Sequence, residues 1–555
     1  MELGASMQDV DEPAPYRRHP VIPTSRVIVS SMHQTRPKPG GGALASLALA
    51  MRSKRTAFVV LQSFASGLPL GLVWIAIPDW MRDIGVDIRV VGLITLAQAP
   101  WTFKLLWAPL MDRYVPPFWG RRRGWMAVTQ IALFVVSLML AGVGQRPEAI
   151  WVVGALAMAI ALASATQDVA IDAYAVEVLH KDEQGAASGA RVAIYRAALF
   201  VSSGLAISMA ARVGWPVVNA VLAFVYLPML FITWKSPEPE VQLPTPRTLR
   251  DAVWQPFLSF LTRPRALEIL AFVVLYKISD QLTQALTRPF LIDMGYNADQ
   301  RGIAVGLITI TTTIVGAVFG GWLTTLAGLG HSLWIFGFLQ LFSNIGYYIL
   351  SILGKPVAPA LYAATGFELL TSGMGTGAFS VLLLRLTEKR FSATQYALFS
   401  SLFALPRVVA GPITGFAVAA IGWSSFFLTT LVIGVPGLLM LNRFAPFGVR
   451  EPQFEHEAGS VPPAAAVSGL VRPGLTAAFG LAIGAALLLA VLDAMDKVRS
   501  TPDHGFDVAS ALWRLTHPAD PGGWVQIVGI LTFALVGGMF IAATRVRRAE
   551  SRASR

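Results

Sequence analysis

Apolar runs of about 20 residues recur along this 555-residue sequence and restrict what it can fold into. A run of that length crosses the ~30 Å hydrocarbon layer of a bilayer as one α-helix. Only 14% of the residues are charged, whereas soluble proteins carry about 25%. We therefore predict an all-α integral membrane protein with fourteen spans. They are expected at 56–77, 90–110, 125–145, 150–178, 191–211, 215–234, 266–287, 302–326, 332–353, 357–384, 396–420, 424–442, 472–494 and 522–544.

The distribution of Lys and Arg predicts the orientation of the chain. With the N-terminus in the cytoplasm, the tails and loops on that side carry roughly three times as many basic residues as the opposite loops, which places both termini inside. The net charge of +12 is thus assigned to topology rather than to nucleic-acid binding, because the basic residues are dispersed among loops. The absence of Cys excludes disulfides and thiolate chemistry.

The spacing of the spans predicts two related halves. Six-helix bundles are expected at 56–234 and 266–442, joined by a cytoplasmic linker at 235–265. A disordered cytoplasmic tail at 1–55 precedes them, and a linker at 443–471, two additional helices at 472–545 and a tail at 546–555 follow. Shifting the sequence by 211 residues superposes Tyr195–Gly204 on Pro406–Gly415 and pairs Arg196 with Arg407. Two six-helix halves are the layout of the major facilitator transporters.

The loop "MDRYVPPFWGRRRGW" (Met111–Trp125) resembles the gating loop of the major facilitator superfamily. Its carboxylate is suited to capping or pairing with basic groups at helix ends and so to holding a gate in one state. The alternative is that its arginines only anchor the loop inside. The gating candidates are Asp112, Arg113, Gly120, Arg121, Arg122 and Arg123.

Charged residues within the predicted spans need partners or a function, since each costs roughly 2.5–3.5 kcal/mol at mid-bilayer. Asp168 and Asp172 are four residues apart and share one helix face. Two carboxylates in a poorly hydrated place do not both ionise cheaply, so the pair is predicted to load and release a proton. The alternative is a structural ion pair with Arg196. Lys104, near a span end, is expected only to extend its amine to the membrane surface.

Lys277 and Asp280 also share a face, on the span 266–287. Asp280 joins the proton-coupling candidates, although the two side chains could equally neutralise each other. Gln281 and Gln284 extend a polar stripe that is more typical of a cavity than of a lipid-facing surface. Glu368 is a further charge within a span.

The sequence resembles the AmpG muropeptide permease family, a branch of the major facilitator superfamily, between about Phe58 and Asn442. The resemblance rests on "PLMDRYVPPFWGRRRGW", "ATQDVAIDAY", "LYKISDQL", "SGMGTGAF" and "FSATQYALFSSLFALPRVVAGP". It implies proton-driven import of N-acetylglucosaminyl-1,6-anhydro-N-acetylmuramic acid and its peptides from the periplasm, for peptidoglycan recycling and β-lactamase induction. It also implies a multi-pass protein of the bacterial inner membrane.

A substrate of this kind carries sugar hydroxyls and peptide carboxylates, and the predicted substrate-binding residues match those groups. They are Gln167, Tyr195, Arg196, Lys277, Gln281, Gln284 and Arg407. We expect a monomer surrounded by lipid, with no metal or cofactor and with the proton gradient as its energy source. The alternatives are a transporter of another anionic substrate, such as acetyl-coenzyme A or peptides, a membrane enzyme and a scaffold. No motif of a hydrolase, metalloprotease or phosphate-binding loop supports an enzyme.

Overall fold

The computed structural model describes residues 52–86, 95–143, 149–240, 244–261, 263, 265–452, 471–500 and 505–518, together with scattered positions between 523 and 541. The predicted tails, except for residues 52–55, and most of the linker 443–471 and of the span 522–544 lie outside the described residues, as does the side chain of Arg407. Where the chain is described it contains helices and turns but no strand, as predicted.

Seven α-helical segments lie in the described part of the first half. They are α1 (Lys54–Asp83), α2 (Ala99–Phe103), α3 (Ala108–Arg113), α4 (Arg121–Gly142), α5 (Ile150–Val178), α6 (Gln184–Val213) and α7 (Trp215–Lys235). Helix α1 packs on α5 and α6, and α4 packs on α5 and α7.

The second half follows the connecting helix α8 (Leu249–Leu261). It comprises α9 (Ala266–Ala285), α10 (Thr287–Asp293), α11 (Asp299–Ala327), α12 (Leu329–Ile352), α13 (Ala358–Leu386) and α14 (Ser392–Phe444). Gly422, with φ at 74°, divides α14 between the predicted spans 396–420 and 424–442. After the second half, the helices with described bounds are α15 (Val471–Ser500) and α16 (Val508–Thr516).

Ten helices in the described part of the chain are long and apolar enough to cross a membrane. The predicted span 90–110 is wrong as one continuous helix, because α2 and α3 are separated by the 3-10 turn Lys104–Leu106. Pro100 and Pro109 lack the amide hydrogen that an uninterrupted helix needs.

The two halves join at one end of the bundle, the end that carries the loop 111–125 and is called here the Arg-rich end. One buried core cluster contains residues of both halves there, including Ala173 of α5 and Phe379 of α13. Toward the opposite end the cores are separate, one around Trp80 and one around Phe290. The space between the halves is therefore closed at the Arg-rich end.

Glycines make the closest approach of the halves possible. A Cβ added to Gly189 of α6 would lie 2.5 Å from the carbonyl oxygen of Ala317 and 2.9 Å from the Cα of Gly321, both on α11. Atoms do not approach that closely, so only glycine lets the two backbones meet there.

Candidate functional site

A cavity of about 210 Å³ lies between the halves, beside the contacts that close the Arg-rich end. Five helices contribute to its wall, three from the first half and two from the second. The lining residues are Ser63 and Ser66 of α1, Asp168 and Asp172 of α5, Ser188, Arg191, Val192, Tyr195 and Arg196 of α6, Thr376 and Ser380 of α13, and Tyr396 of α14. Both carboxylates that the sequence singled out are thus at the interface of the halves.

The two carboxylates have different surroundings. Asp172 accepts a hydrogen bond from Arg191 Nη2 at 2.6 Å, and its other oxygen lies 3.8 Å from Lys104 Nζ. Asp168 accepts a hydrogen bond from Ser66 Oγ and has no cation within 4 Å among the described residues. One carboxylate is therefore neutralised by a fixed cation, whereas the other faces the cavity without one.

The alternative that paired the carboxylates with Arg196 is wrong, because Asp172 pairs with Arg191 and Asp168 has no cation within 4 Å among the described residues. These two arginines are five positions apart on α6, which is about 140° around the helix, so they point in different directions. Arg196 is exposed and forms no hydrogen bond or ion pair with any residue that the structure describes. The expectation for Lys104 is also wrong, since the 3-10 turn between α2 and α3 directs this 9%-exposed side chain toward Asp172.

Arg191 connects the two halves across the cavity. Besides Asp172, its guanidinium donates to Ser63 Oγ of α1 at 3.2 Å and reaches the hydroxyl of Tyr396 on α14. A change in the charge of Asp172 would therefore alter the electrostatic environment of Tyr396 in the other half.

A second polar cluster is buried within the second half. Lys277 Nζ donates to Asp280 Oδ2 at 2.9 Å and to Gln340 Oε1 of α12. Gln284 Nε2 donates to Glu368 Oε1 of α13 at 2.6 Å. Lys277 and Asp280 thus form the local ion pair that the sequence left open.

The predicted substrate-binding residues fall into separate places. Tyr195 and Arg196 line the cavity, whereas Lys277 and Gln284 belong to the second cluster. Gln281 is half-buried on the same helix, and Gln167 is fully buried and does not line the cavity.

The loop at the Arg-rich end forms a network that crosses between the halves. Asp112 accepts hydrogen bonds from Arg122 Nη2 at 2.6 Å and from the amide and hydroxyl of Thr394 at 2.8 and 2.7 Å. Since α14 begins at Ser392, Asp112 of the first half caps the N-terminus of a helix of the second half. Arg122, 2% exposed, also donates to Ser392 Oγ at 2.7 Å.

Glu177 completes this network, although the sequence did not single it out. It accepts from Arg121 and Arg122 at 2.8 Å each and from Ser392 Oγ at 2.5 Å. The sequence does contain a pattern that could have indicated Glu177. It lies five residues after Asp172 on α5, at the charged end of an otherwise apolar helix.

The remaining loop residues stay within the first half. Arg123 donates to the backbone oxygen of Ser236 at 2.7 Å, and Arg113 lies over the ring of Tyr114. Gly120, with φ at 77°, directly precedes α4.

Comparisons with known proteins agree with this architecture. The sequence profile described as Major Facilitator Superfamily matches residues 59–411. The anhydromuropeptide permease of Escherichia coli (strain K12) is 42% identical over 389 residues, which cover 70% of this chain and 79% of the permease.

Two solved structures share the fold at low sequence identity. The fucose:proton symporter of Escherichia coli aligns with a TM-score of 0.56 and 13% identity, over 70% of this chain and 98% of the symporter. A bacterial homologue of the iron transporter ferroportin in its outward-facing state aligns with a TM-score of 0.53 and 14% identity, over 70% of this chain and 98% of the homologue.

Proposed function

Since the chain belongs to the major facilitator superfamily and, within it, to the AmpG anhydromuropeptide permease family, we propose that it imports anhydromuropeptides from the periplasm in symport with protons. It is a multi-pass protein of the bacterial inner membrane, and its relatives are permeases rather than enzymes. The observation that carries the proposed substrate is the 42% identity to the anhydromuropeptide permease.

The cavity chemistry supports a substrate with carboxylates and sugar hydroxyls. Arg196 is a cation in the cavity lining without a fixed partner among the described residues, so it is available to bind a carboxylate of the substrate peptide. The hydroxyls of Ser188, Thr376 and Ser380 are suited to hydrogen bonds with a sugar, and the ring of Tyr195 is suited to stacking on it. At about 210 Å³ the cavity is smaller than the roughly 300–1,000 Å³ of typical ligand sites. We therefore expect substrate binding to be accompanied by movement of the halves.

Asp168 and Asp172 are the proposed proton-coupling pair. Asp168 faces the cavity without a cation within 4 Å among the described residues, so its protonation does not have to displace an existing ion pair. One proton moving through ~100 mV releases ~2.3 kcal/mol, which supports accumulation of ~50-fold for a substrate whose own charge is balanced. No cofactor or metal is required in this scheme.

Direction follows from the proposed topology of fourteen spans with both termini in the cytoplasm. The Arg-rich end is then the cytoplasmic end, and a state that is closed at this end is the one that would take up substrate from the periplasm. Substrate would bind from the periplasm, and the periplasmic end would then close. Separation of Asp112 and Arg122 from Thr394 and Ser392 would open the Arg-rich end and release substrate and proton into the cytoplasm. We propose a monomer, because one chain contains both halves.

Substrate identity is tested by uptake into right-side-out vesicles, with labelled anhydromuropeptides as substrate and unlabelled acetyl-coenzyme A as competitor. We expect uptake that acetyl-coenzyme A does not inhibit. Arg196→Ala should weaken uptake of the peptide-bearing form about tenfold more than that of the peptide-free disaccharide, which is the loss of one charge-assisted hydrogen bond. Arg443→Ala, which removes an exposed pair with Glu268, is the control. No uptake by correctly inserted wild type would refute the proposed substrate.

A further inference from the structure

Glu368 is the one acidic residue of α13 and is only 1% exposed. One carboxyl oxygen accepts the hydrogen bond from Gln284 at 2.6 Å. The other oxygen, Oε2, is fully buried and accepts no hydrogen bond from the described residues. An ionised carboxylate in that position leaves its charge incompletely compensated, whereas a protonated carboxyl group is neutral and has a hydrogen to donate.

Asp280 supplies the matching acceptor. Gln284 Nε2 donates to Oδ1 of Asp280 at 3.3 Å as well as to Oε1 of Glu368 at 2.6 Å, so the two carboxyl groups are neighbours around one amide nitrogen. Two ionised carboxylates that are this close repel each other, and a proton on one of them removes the repulsion and provides a hydrogen to donate to the other. Lys277, 2.9 Å from Asp280, contributes a single positive charge against two carboxyl groups. The cluster is therefore neutral when it holds one proton.

The other groups around the pair do not change this balance. Among the side chains that the structure describes, the titratable groups that face it besides Lys277 are Tyr276 of α9, near Asp280, and Tyr347 of α12, near Glu368. Both are neutral phenols at physiological pH. Helix α11, which packs on α13, has no titratable side chain between residues 303 and 327. Arg191 of α6 and Tyr396 of α14 face the cavity rather than the cluster.

A polar stripe on α13 connects the cluster with the cavity. Ser372, Thr376 and Ser380 are spaced four residues apart and are half-buried, while the residues between them are buried. Ser372 Oγ donates to Asp280 Oδ2 at 3.0 Å, and Thr376 and Ser380 line the cavity. The stripe gives the buried carboxyl pair a polar route to the space that contains Asp168.

We propose that Glu368 is a proton-binding site of this protein, which shares one proton with Asp280 and exchanges it with the cavity along Ser372, Thr376 and Ser380. A proton from cavity water forms an O–H bond with one oxygen of the Glu368 carboxylate, and this bond breaks when the proton returns to the cavity. Each hydroxyl along the route takes up one proton and passes one on, so it is unchanged after the transfer. The role of this proton in transport rests on the proposed function, whereas its presence on Glu368 does not.

Infrared spectroscopy of the purified full-length protein tests the site without any substrate. The carbonyl stretch of a protonated carboxyl group is measured in an Asp168→Asn background, so that Asp168 does not contribute. We expect this band at neutral pH, its loss on adding Glu368→Gln, and no change on adding Glu268→Gln, a control on α9 whose carboxylate pairs with Arg443 on the surface. Absence of the band before Glu368 is changed, or its persistence in Glu368→Gln, would overturn the proposal.

A second variant keeps the test decisive if Glu368→Gln does not fold. Lys277→Met removes the cation, so neutrality then requires a proton on both carboxyl groups and the band should become about twice as intense. An unchanged band in folded Lys277→Met contradicts the shared proton.

Transport then tests the role of the site. Glu368→Gln should retain exchange of labelled for unlabelled anhydromuropeptide but lose gradient-driven accumulation. Accumulation at the wild-type level would remove Glu368 from the coupling mechanism. If the infrared band behaves as expected but wild type carries no anhydromuropeptide, the proton site stands and the proposed substrate is wrong.

Discussion

Removal of the Asp112 carboxylate should open the Arg-rich end. Asp112 belongs to the first half, and its hydrogen bonds to the Thr394 amide and hydroxyl, at 2.8 and 2.7 Å, join it to the second half. These bonds exist only while this end is closed. Asp112→Ala therefore destabilises the closed state relative to the open one, rather than both equally.

The magnitude follows from the two short bonds to Thr394. A hydrogen bond to a charged group contributes about 1.5–3 kcal/mol, so losing both costs the closed state at least about 3 kcal/mol. At a factor of ten for each 1.4 kcal/mol, the ratio of open to closed should rise about 100-fold. Thr394→Ala removes only the hydroxyl bond and should raise it about tenfold, whereas Thr394→Ser retains that bond and should leave it unchanged.

Thiol labelling measures this ratio cleanly, because the chain has no cysteine of its own. Ser188 is 1% exposed, lines the cavity and lies one turn inside the start of α6, so Ser188→Cys reports opening at the Arg-rich end. The rate at which a reagent added at the Arg-rich end labels this cysteine should be fastest in Asp112→Ala, slower in Thr394→Ala and slowest in Thr394→Ser. A change of less than about threefold in correctly inserted Asp112→Ala, or acceleration by Thr394→Ser, would show that the bonds between Asp112 and Thr394 do not hold this end closed.

Three further perturbations have defined outcomes. Gly189→Val should prevent closure and accelerate labelling at the Arg-rich end, because its Cβ would lie 2.5 Å from a backbone oxygen of α11; Gly154→Val, which meets no atom within 4 Å, should not. Arg191→Met leaves Asp172 without its partner at 2.6 Å and should lower the melting temperature by several degrees, as measured in detergent, for a loss of about 2 kcal/mol. Adding Asp172→Asn should restore most of that loss; a double variant as unstable as the single one would contradict the pairing. Lys104→Met removes an amine that lies 3.8 Å from the same carboxylate and should lower the free energy of unfolding by less than about 1 kcal/mol. An effect as large as that of Arg191→Met would contradict this ranking of the two cations.

Local patterns in the sequence predicted what depends on neighbours along the chain. The run lengths indicated helices across the membrane, and the four-residue spacing of Asp168 and Asp172 placed both on one face of α5, toward the cavity. The composition of the loop 111–125 indicated a cluster around Asp112 at a helix end.

Partners from distant parts of the chain were not predictable in the same way. The choice of Arg191 rather than Arg196 depends on how α6 is rotated against α5, and both arginines satisfy the sequence pattern equally. Likewise, Thr394 meets Asp112 only because the halves pack together, 282 positions apart in sequence. The break near Lys104 was missed because the apolar run continues through Pro100 and Pro109.

Asp168 is the residue through which we propose that a proton is coupled to anhydromuropeptide import. The most direct measurement compares accumulation of labelled anhydromuropeptide in right-side-out vesicles, with and without a protonophore, for wild type and for Asp168→Asn inserted to the same level. We expect accumulation by wild type that the protonophore abolishes, and loss of accumulation in the variant. Wild-type accumulation that ignores the protonophore, or full accumulation by Asp168→Asn, would contradict it.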